Sequence, residues 1–305
     1  MAAAAVSLLA PLWWVADLVT SFQLQLLLGM LPLLVALLGR RAWRWAAALA
    51  VATLVPFSQL VPLWTGPPGP TAAPEAPRLR VLVANVLSRN PSPAALLDEV
   101  AAFDPDLVAV LELSGPVVAA LAPLEATHPL ALSDVHDTDN FGIGLYSRLP
   151  VEGRLVYRTA PGSGASEPGI EATVLAPGAA PLQLFVAHPM PPAGRALSAR
   201  RDAHLAALGD AVGAVAGPRL LVGDLNVVSW APAFRDLARR GRLIDARRPQ
   251  RLSTGTWPAG LPALLRIPID HALASPDLAI TRLEVGPAYG SDHRPLRVEV
   301  ALPRP

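Results

Sequence analysis

The sequence of 305 residues contains no cysteine and no lysine, so all 25 of its basic residues are arginines. Without cysteine, the chain can have neither a disulfide framework nor a thiolate site. Charged residues are sparse at 16%, and aromatic residues make up only 5%. By contrast, hydrophobic residues make up 52% of the chain, and there are 34 prolines. The length therefore allows one large domain or two modest ones with a sizeable core.

Charge is scarcest before Arg78, where Asp17, Glu75 and three arginines stand in apolar sequence. Positions 24–38 form one apolar run and positions 45–64 a second, and a weaker candidate covers 2–15. With their flanks, the two stronger runs approach the ~20 residues that cross a bilayer. We therefore predict two to three transmembrane helices in residues 1–64. The alternative, a hairpin of soluble helices, would show a polar face, which is hardly present.

The three arginines at positions 40, 41 and 44 lie between the two stronger runs. The positive-inside rule places this loop in the cytoplasm, so the chain after residue 64 lies outside. Residues 65–77 are rich in proline, glycine and alanine, which is typical of an extended linker. The predicted organisation is an anchor at 1–64, a linker at 65–77 and a catalytic domain at 78–305. The localisation predicted is a multi-pass cell-membrane protein with an extracytoplasmic catalytic domain.

The catalytic part has no excess of basic charge. Three of the 25 basic and two of the 24 acidic residues precede Arg78, which leaves 22 of each. A protein that binds nucleic acid non-specifically usually carries a basic excess. Neutrality therefore counts against DNA or RNA as the main substrate.

Polar side chains stand at or beside the ends of successive predicted buried strands in this half. An isolated residue of this kind is usually a cap or a turn, and Asp224 with Asn226 could simply form a turn that bonds its own backbone. Six such strand ends together indicate a site instead, because α/β sheets handle ligands at strand ends. The residues are Asn85, Glu112, His188, Asp224 with Asn226, Asp270, and Asp292 with His293.

Three of these residues offer hard oxygen ligands. Glu112 and Asp292 supply carboxylates, and Asn85 supplies a neutral carbonyl oxygen. So few protein ligands suit Mg²⁺ or Mn²⁺, which retains several waters and a substrate phosphate.

The other five residues suit the chemistry of water attack on a phosphate. His293 could act as general base, with Asp270 fixing its tautomer. Asp224 could orient the attacking water or receive its proton. Asn226 and His188 could donate hydrogen bonds to the charge that builds on phosphoryl oxygens.

The motifs Gly-Asp-x-Asn at 223–226 and Ser-Asp-His-x-Pro at 291–295 make a family resemblance specific. Together with the other polar strand ends in the same order, they resemble the endonuclease/exonuclease/phosphatase superfamily, which has the DNase I-like fold, from about residue 78 onward. The resemblance implies an α/β (α+β) fold: a four-layer sandwich of two packed mixed β-sheets flanked by helices. It also implies metal-dependent hydrolysis of a phosphate mono- or diester by direct attack of water.

The resemblance assigns roles that agree with this chemistry. It implies that Glu112 is the main metal ligand and that Asn85 and Asp292 lie near the metal. It also implies that His293 acts as the base together with Asp270. Asp224 and Asn226 would then contact the water and the phosphate, and His188 would lie on the phosphate side. The sequence departs from many relatives at Leu87, where they carry a polar residue. Asn90 lies close enough in sequence to compensate.

The N-terminal runs and the segments at 188–192 and 256–258 resemble a membrane-anchored bacterial branch that includes VanJ-type teicoplanin-resistance proteins. We therefore expect a lipid-linked cell-wall or phospholipid phosphate as substrate, favoured over nucleic acid, with the lipid bilayer as partner and no protein partner evident. Two alternatives are an extracellular nuclease and a non-catalytic receptor for a phosphorylated envelope precursor.

Several polar residues outside this set have ordinary interpretations. Arg195, Arg200 and Arg201 are expected on a solvated helix face, although Arg195 could reach a substrate phosphate. The histidines without motif partners, His128, His136 and His204, are expected at the surface or in loops. His271 follows Asp270 on a strand, so it should point to the opposite face and be structural.

Overall fold

The computed structural model describes residues 1–10, 12–61, 69–159, 166–246 and 254–305. The end of the predicted anchor, 62–64, and the start of the predicted linker, 65–68, lie outside the described residues. Four helices come first: α1 (Ala2–Ser7), α2 (Trp14–Thr20), α3 (Gln23–Gly39) and α4 (Trp43–Leu60).

The rest of the described chain forms two six-stranded sheets. The strands of the first sheet are β1 (Arg78–Asn85), β2 (Leu107–Leu111), β3 (Leu130–Asp134), β4 (Ile143–Ser147), β11 (Ala279–Val285) and β12 (Leu296–Ala301). Those of the second are β5 (Val151–Thr159), β6 (Ser166–Val174), β7 (Leu182–Ala187), β8 (Arg219–Asp224), β9 (Ile244–Asp245) and β10 (Asp270–Ala274). The first sheet has the order β11-β12-β1-β2-β4-β3 and the second β5-β6-β7-β8-β10-β9. Both are mixed, because β1–β2 and β7–β8 pair in parallel while the other neighbours are antiparallel.

Helices cover the outer face of each sheet. They are α5 (Ala95–Phe103), α6 (Gly115–Leu121), α7 (Arg195–Ala214) and α8 (Pro232–Gly241), with short 3-10 turns at Ala122–Ala126 and Ala263–Leu265. Residues from α5 and α6 pack on the first sheet, and residues from α7 and α8 pack on the second.

The alternation of side chains along each strand explains this layering. In β1, Leu79, Val81 and Val83 belong to the core shared by the two sheets, whereas Leu82 and Ala84 pack under α5 and α6. Because successive side chains point to opposite faces, a strand with apolar residues at every position is buried on both sides. This confirms the predicted four-layer sandwich of two packed mixed sheets.

Among the described helices, none is by itself long and apolar enough to cross a membrane. Helices α2 and α3 pass the same test as a pair, with a bend of 65° between them.

The N-terminal helices also contact the two-sheet part of the chain directly. Arg201 Nη2 donates to Asp17 Oδ2 at 2.7 Å, and Trp230 Nε1 donates to the Thr20 carbonyl at 2.6 Å. Leu24 and Leu60 join the apolar cluster beneath α7 and α8. The first 60 residues therefore share buried polar and apolar contacts with the domain that follows.

Several expected surface residues are buried instead. Arg201 is 2% exposed, because its guanidinium lies between Asp17 and Asp202. Arg200 pairs with buried Glu167, whose other oxygen lies 3.1 Å from His204 Nδ1. The expectation of a solvated helix face was wrong for these arginines, because the opposite charges that bury them come from distant segments.

One histidine expectation was also wrong, because His204 lies on α7 and is 2% exposed. His128 lies in a loop, as expected, but it is fully buried there, with Nε2 at 2.8 Å from the Pro105 carbonyl. His136 lies in a partly exposed loop beside Asp139. His271 is buried with Nε2 at 2.6 Å from the Val227 carbonyl, on the face opposite Asp270.

Candidate active site

The strand registers bring the predicted site residues to one end of the sandwich. Asn85 at the end of β1 is paired with Leu111, so Glu112 follows directly beside it. Across the second sheet, Asp270 of β10 lies opposite Asp224 of β8. The site is therefore assembled from both sheets.

Gly223 allows β7 and β8 to approach closely at this end. Its φ is +145°, and a Cβ at this position would lie 1.9 Å from the Ala187 carbonyl oxygen. Only glycine fits such an approach. His188 and Asp224 follow at once, and their Nε2 and Oδ2 atoms are 3.6 Å apart.

Asn85 connects the two halves of the site. Its Nδ2 donates to Glu112 Oε1 at 3.1 Å and to Asp224 Oδ2 at 3.2 Å. Its backbone carbonyl accepts hydrogen bonds from the hydroxyls of Tyr289 and Ser291. The side chain is 1% exposed and fixed on every side, so it holds the two carboxylates at a set separation.

Asp270, His293 and Asp224 form a buried chain of charges. His293 Nδ1 lies 2.8 Å from Asp270 Oδ2, and its Nε2 lies 3.6 Å from Asp224 Oδ2. Burial lowers the pKa of His293, but the charges of Asp270 and Asp224 outweigh it and raise the pKa to about 10. Burial, with the charge of Asp270, raises the pKa of Asp224 to about 7. At neutral pH His293 is therefore an imidazolium, and the carboxyl group of Asp224 is close to its midpoint of titration.

His188 has the opposite character. Burial and the neighbouring charge of His293 lower its pKa to about 4. Its ring packs against Phe141 with centroids 5.4 Å apart. At neutral pH His188 is therefore a neutral hydrogen-bonding group.

The Asp-x-Asn turn and the site use different oxygens of Asp224. Oδ1 accepts the Asn226 backbone N–H at 2.9 Å, as in an ordinary Asx turn, while Oδ2 faces Asn85 and the histidines. Asn226 adopts φ +50° and donates one amide hydrogen to the Pro189 carbonyl at 3.0 Å. A side-chain amide has two donor hydrogens, so one remains for a ligand.

Glu112 fits a cation ligand. It adopts a left-handed backbone conformation with φ +61°, a strained state that clusters at functional sites. Its carboxylate is 7% exposed and accepts hydrogen bonds from Asn85 and from the Ser88 backbone N–H at 3.0 Å. Within the described residues it forms no ion pair, and a buried carboxylate with neutral partners is costly unless a cation joins it.

Asp292 is placed differently from the other predicted ligands. It is exposed, and its Oδ2 accepts a hydrogen bond from Trp257 Nε1 at 3.0 Å. The close group of metal-type ligand atoms in the described chain is a different one, Asp224, Asp270 and His293, whose atoms lie within 4.8 Å of one another. The structure therefore offers Glu112 with Asn85 on one side and this trio on the other. Asn90, by contrast, bonds only local backbone at Val86 and Ser92.

These groups open into a cleft of about 720 Å³. Its walls are largely apolar and include Phe141, Met190, Trp257 and Ile267. The N-terminal helices contribute Leu18, Ser21 and Phe22. No sequence pattern pointed to these last three residues, because they lie in a segment interpreted only as anchor.

The family's sequence profile matches this chain across the site. The Endonuclease/Exonuclease/phosphatase family profile aligns with residues 82–293, more than half of the chain. The chain belongs to this family. Its characterised members are phosphoester hydrolases that generally use divalent metal ions. No curated protein matches the sequence significantly.

Solved structures share the fold at low sequence identity. An endonuclease/exonuclease/phosphatase from Beutenbergia cavernae is 18% identical, with a TM-score of 0.56 over 74% of this chain and 72% of its own. A family protein from Bacteroides thetaiotaomicron is 16% identical, with a TM-score of 0.59 over 75% and 99%. TDP2 of D. rerio, complexed with a single-strand DNA product, is 18% identical, with a TM-score of 0.59 over 73% and 98%.

Proposed function

We propose that this chain is a membrane-anchored, extracytoplasmic phosphoesterase that uses Mg²⁺ or Mn²⁺ and hydrolyses a lipid-linked phosphate by direct attack of water. The observation that carries the proposal is the bridge from Glu112 through Asn85 to Asp224 and His293. It joins a candidate metal ligand to a candidate base at the end of an apolar cleft.

The base is His293 in its neutral form, which becomes abundant as the pH rises towards the His293 pKa of about 10. A water hydrogen-bonded to Asp224 Oδ2 and His293 Nε2, which are 3.6 Å apart, loses its proton to Nε2. Asp270 holds the Nδ1 proton at 2.8 Å, which fixes the tautomer and stabilises the imidazolium that forms. The water oxygen bonds to phosphorus as the ester P–O bond breaks, and the leaving oxygen takes a proton from solvent.

Asn226 and neutral His188 face the same cleft and are placed to donate hydrogen bonds to phosphoryl oxygens. Such preorganised donors act where charge builds in the transition state. Glu112 and Asn85, with Asp292 at the rim, would hold the metal. When bound, the ion would act as a Lewis acid that offsets phosphoryl charge.

The walls of the cleft favour a substrate with an apolar portion. No arginine lines the cleft within the described residues, whereas Phe22, Met190 and Trp257 do. Nucleic-acid grooves normally neutralise phosphates with arginine or lysine. The resemblance to the VanJ-type branch and the apolar α3 and α4 support a substrate held in a membrane.

The proposal is tested with the full-length protein purified in detergent. We expect Mg²⁺- or Mn²⁺-dependent phosphate release from undecaprenyl phosphates or phospholipids, and loss of that release in Glu112→Gln. Exposed Glu152→Gln is the matched control. Turnover by chelated protein, or full activity in Glu112→Gln, would contradict the proposal, and binding of these lipids without hydrolysis would favour the receptor.

A nuclease is the second candidate, and the single-strand DNA product in the D. rerio structure favours it. Degradation of plasmid DNA at physiological salt, with no release from lipid phosphates, would select the nuclease.

A further inference from the structure

Three exposed leucines stand together on one short loop of the catalytic domain. Leu261, Leu264 and Leu265 are 42%, 47% and 44% exposed. In the described residues, most other exposed large apolar side chains belong to the first 60 positions. We name residues 257–267 the leucine loop. Clustered exposed apolar side chains on a domain surface indicate a contact with a membrane or a partner.

The leucine loop is attached to the apolar helix α3. Gln25 Nε2 donates to the carbonyl oxygens of Leu264 at 3.2 Å and Arg266 at 3.3 Å. The tip of the loop is therefore continuous with a helix whose own leucines at 28, 31 and 33 are exposed. This continuity indicates that one apolar phase covers both.

The base of the same loop belongs to the active-site cleft. Trp257 and Ile267 pair through their backbones, with N···O distances of 3.2 and 2.6 Å, and both line the cleft. Arg294, next to His293 in the chain, donates to the Ala259 carbonyl at 3.2 Å. The tip of the leucine loop is therefore linked through the loop's own backbone to residues that line the cleft.

The charge on the loop favours a lipid surface over an apolar protein partner. Within the described residues, neither Arg266 nor Arg294 forms an ion pair. An apolar tip beside unpaired cations is the pattern of a segment that lies in the interface of an anionic bilayer.

We propose that the leucine loop dips into the bilayer surface beside α3, with Leu261, Leu264 and Leu265 in the apolar layer. The active-site cleft then opens at the membrane surface. A phosphoester can enter the cleft there while its apolar part stays in the bilayer. This inference rests on the proposed membrane anchoring.

The absence of cysteine makes the test direct, because one introduced thiol can be labelled alone. An environment-sensitive fluorophore is attached to Leu264→Cys in the full-length protein, reconstituted in vesicles of phosphatidylcholine and phosphatidylglycerol. Leu31→Cys on α3 is the reference for the anchor. Leu175→Cys is the aqueous control, since it follows the end of β6 remote from His188.

We expect blue-shifted emission and quenching by nitroxide lipids at positions 264 and 31, and neither at 175. Quenching at 31 but not at 264 would overturn the inference and leave the anchoring intact. No quenching at 31 would refute the anchoring itself, and the inference with it. Quenching at 175 as well would show non-specific adsorption and would also count against it.

A second measurement separates membrane contact from chemistry. Leu264→Glu should lower hydrolysis of a vesicle-embedded lipid phosphate by about an order of magnitude. It should leave hydrolysis of a soluble short-chain ester unchanged, as should Leu175→Glu for both substrates. An equal loss on both substrates would show damage to the site and contradict a membrane role.

Discussion

Replacing Asp270 by asparagine tests the core of the proposed chemistry. The substitution keeps the shape of the side chain and removes the charge that lies 2.8 Å from His293 Nδ1. In the native site, nearby carboxylates raise the pKa of His293 from 6.5 to about 10 against the effect of burial, and Asp270 contributes most. That shift corresponds to roughly 5 kcal/mol in favour of the imidazolium.

Two effects should follow from the loss of this charge. The imidazolium that forms during water attack loses its main stabilising partner, and asparagine no longer imposes one tautomer. We expect kcat to fall by about 10²–10⁴-fold. Because burial then dominates, the pKa of His293 should drop, and the ascending limb of the pH–rate profile should move to lower pH.

The assay is metal-dependent phosphate release by the detergent-purified protein between about pH 5 and pH 11, a range that brackets both the His293 pKa of about 10 and its ordinary value of 6.5. Asp210→Asn, at a carboxylate that is 62% exposed on α7, controls for the loss of one charge. Combined with His293→Gln, the Asp270→Asn loss should be far from additive, since the two residues act as a unit. A variant within a few-fold of the native rate, with an unmoved ascending limb, would refute the role of the pair.

Three further predictions concern the metal, acid stability and the anchor. Glu112→Gln should raise the Mn²⁺ concentration that gives half-maximal activation much more than Asp270→Asn does, and the reverse order would place the metal on the trio of Asp224, Asp270 and His293. The pKa of His188 is about 4 in the folded protein and 6.5 when the side chain is free. The free energy of unfolding should therefore fall by up to roughly 3 kcal/mol as the pH falls from 6.5 through 4. Guanidinium unfolding at two pH values should show this loss in the native protein and not in His188→Asn. Arg201→Met should destabilise the fold by about 3–5 kcal/mol by leaving Asp17 buried without its partner, and Asp17→Leu should restore much of that loss in thermal unfolding.

Local sequence patterns predicted the buried strands, and the family resemblance implied the sandwich that these strands form. The run that became β2 is apolar at every position, and the centres of β1 and β8 are apolar as well, which is what strands buried on both faces require. Polar residues at the ends of such runs have few structural reasons to be there. Their coincidence predicted the family, and the family's profile confirms it.

The positions of polar residues at strand ends also predicted which side chains would lie close together, because paired strands bring their ends to the same edge of a sheet. Asn85, Glu112, Asp224, Asp270 and His293 come together as expected. Whether they play the predicted roles is a matter for the variants described above.

The tertiary structure alone decided what covers these residues. Arg201 reads as a solvated arginine until Asp17, far away in the chain, is placed against it. Phe22 looks like anchor sequence, and the leucine loop was given no structural role, until they are seen at the cleft and against α3.

The physical reason for this difference is that a local sequence pattern describes only the segment in which it occurs. Periodicity records which face of a segment is buried, and a motif records which groups stand at its end. Neither records the partner that buries a charge or closes a cleft from more than a hundred residues away. The sequence therefore determined the sheets and the chemistry of their ends, while packing decided that the N-terminal helices form part of the site.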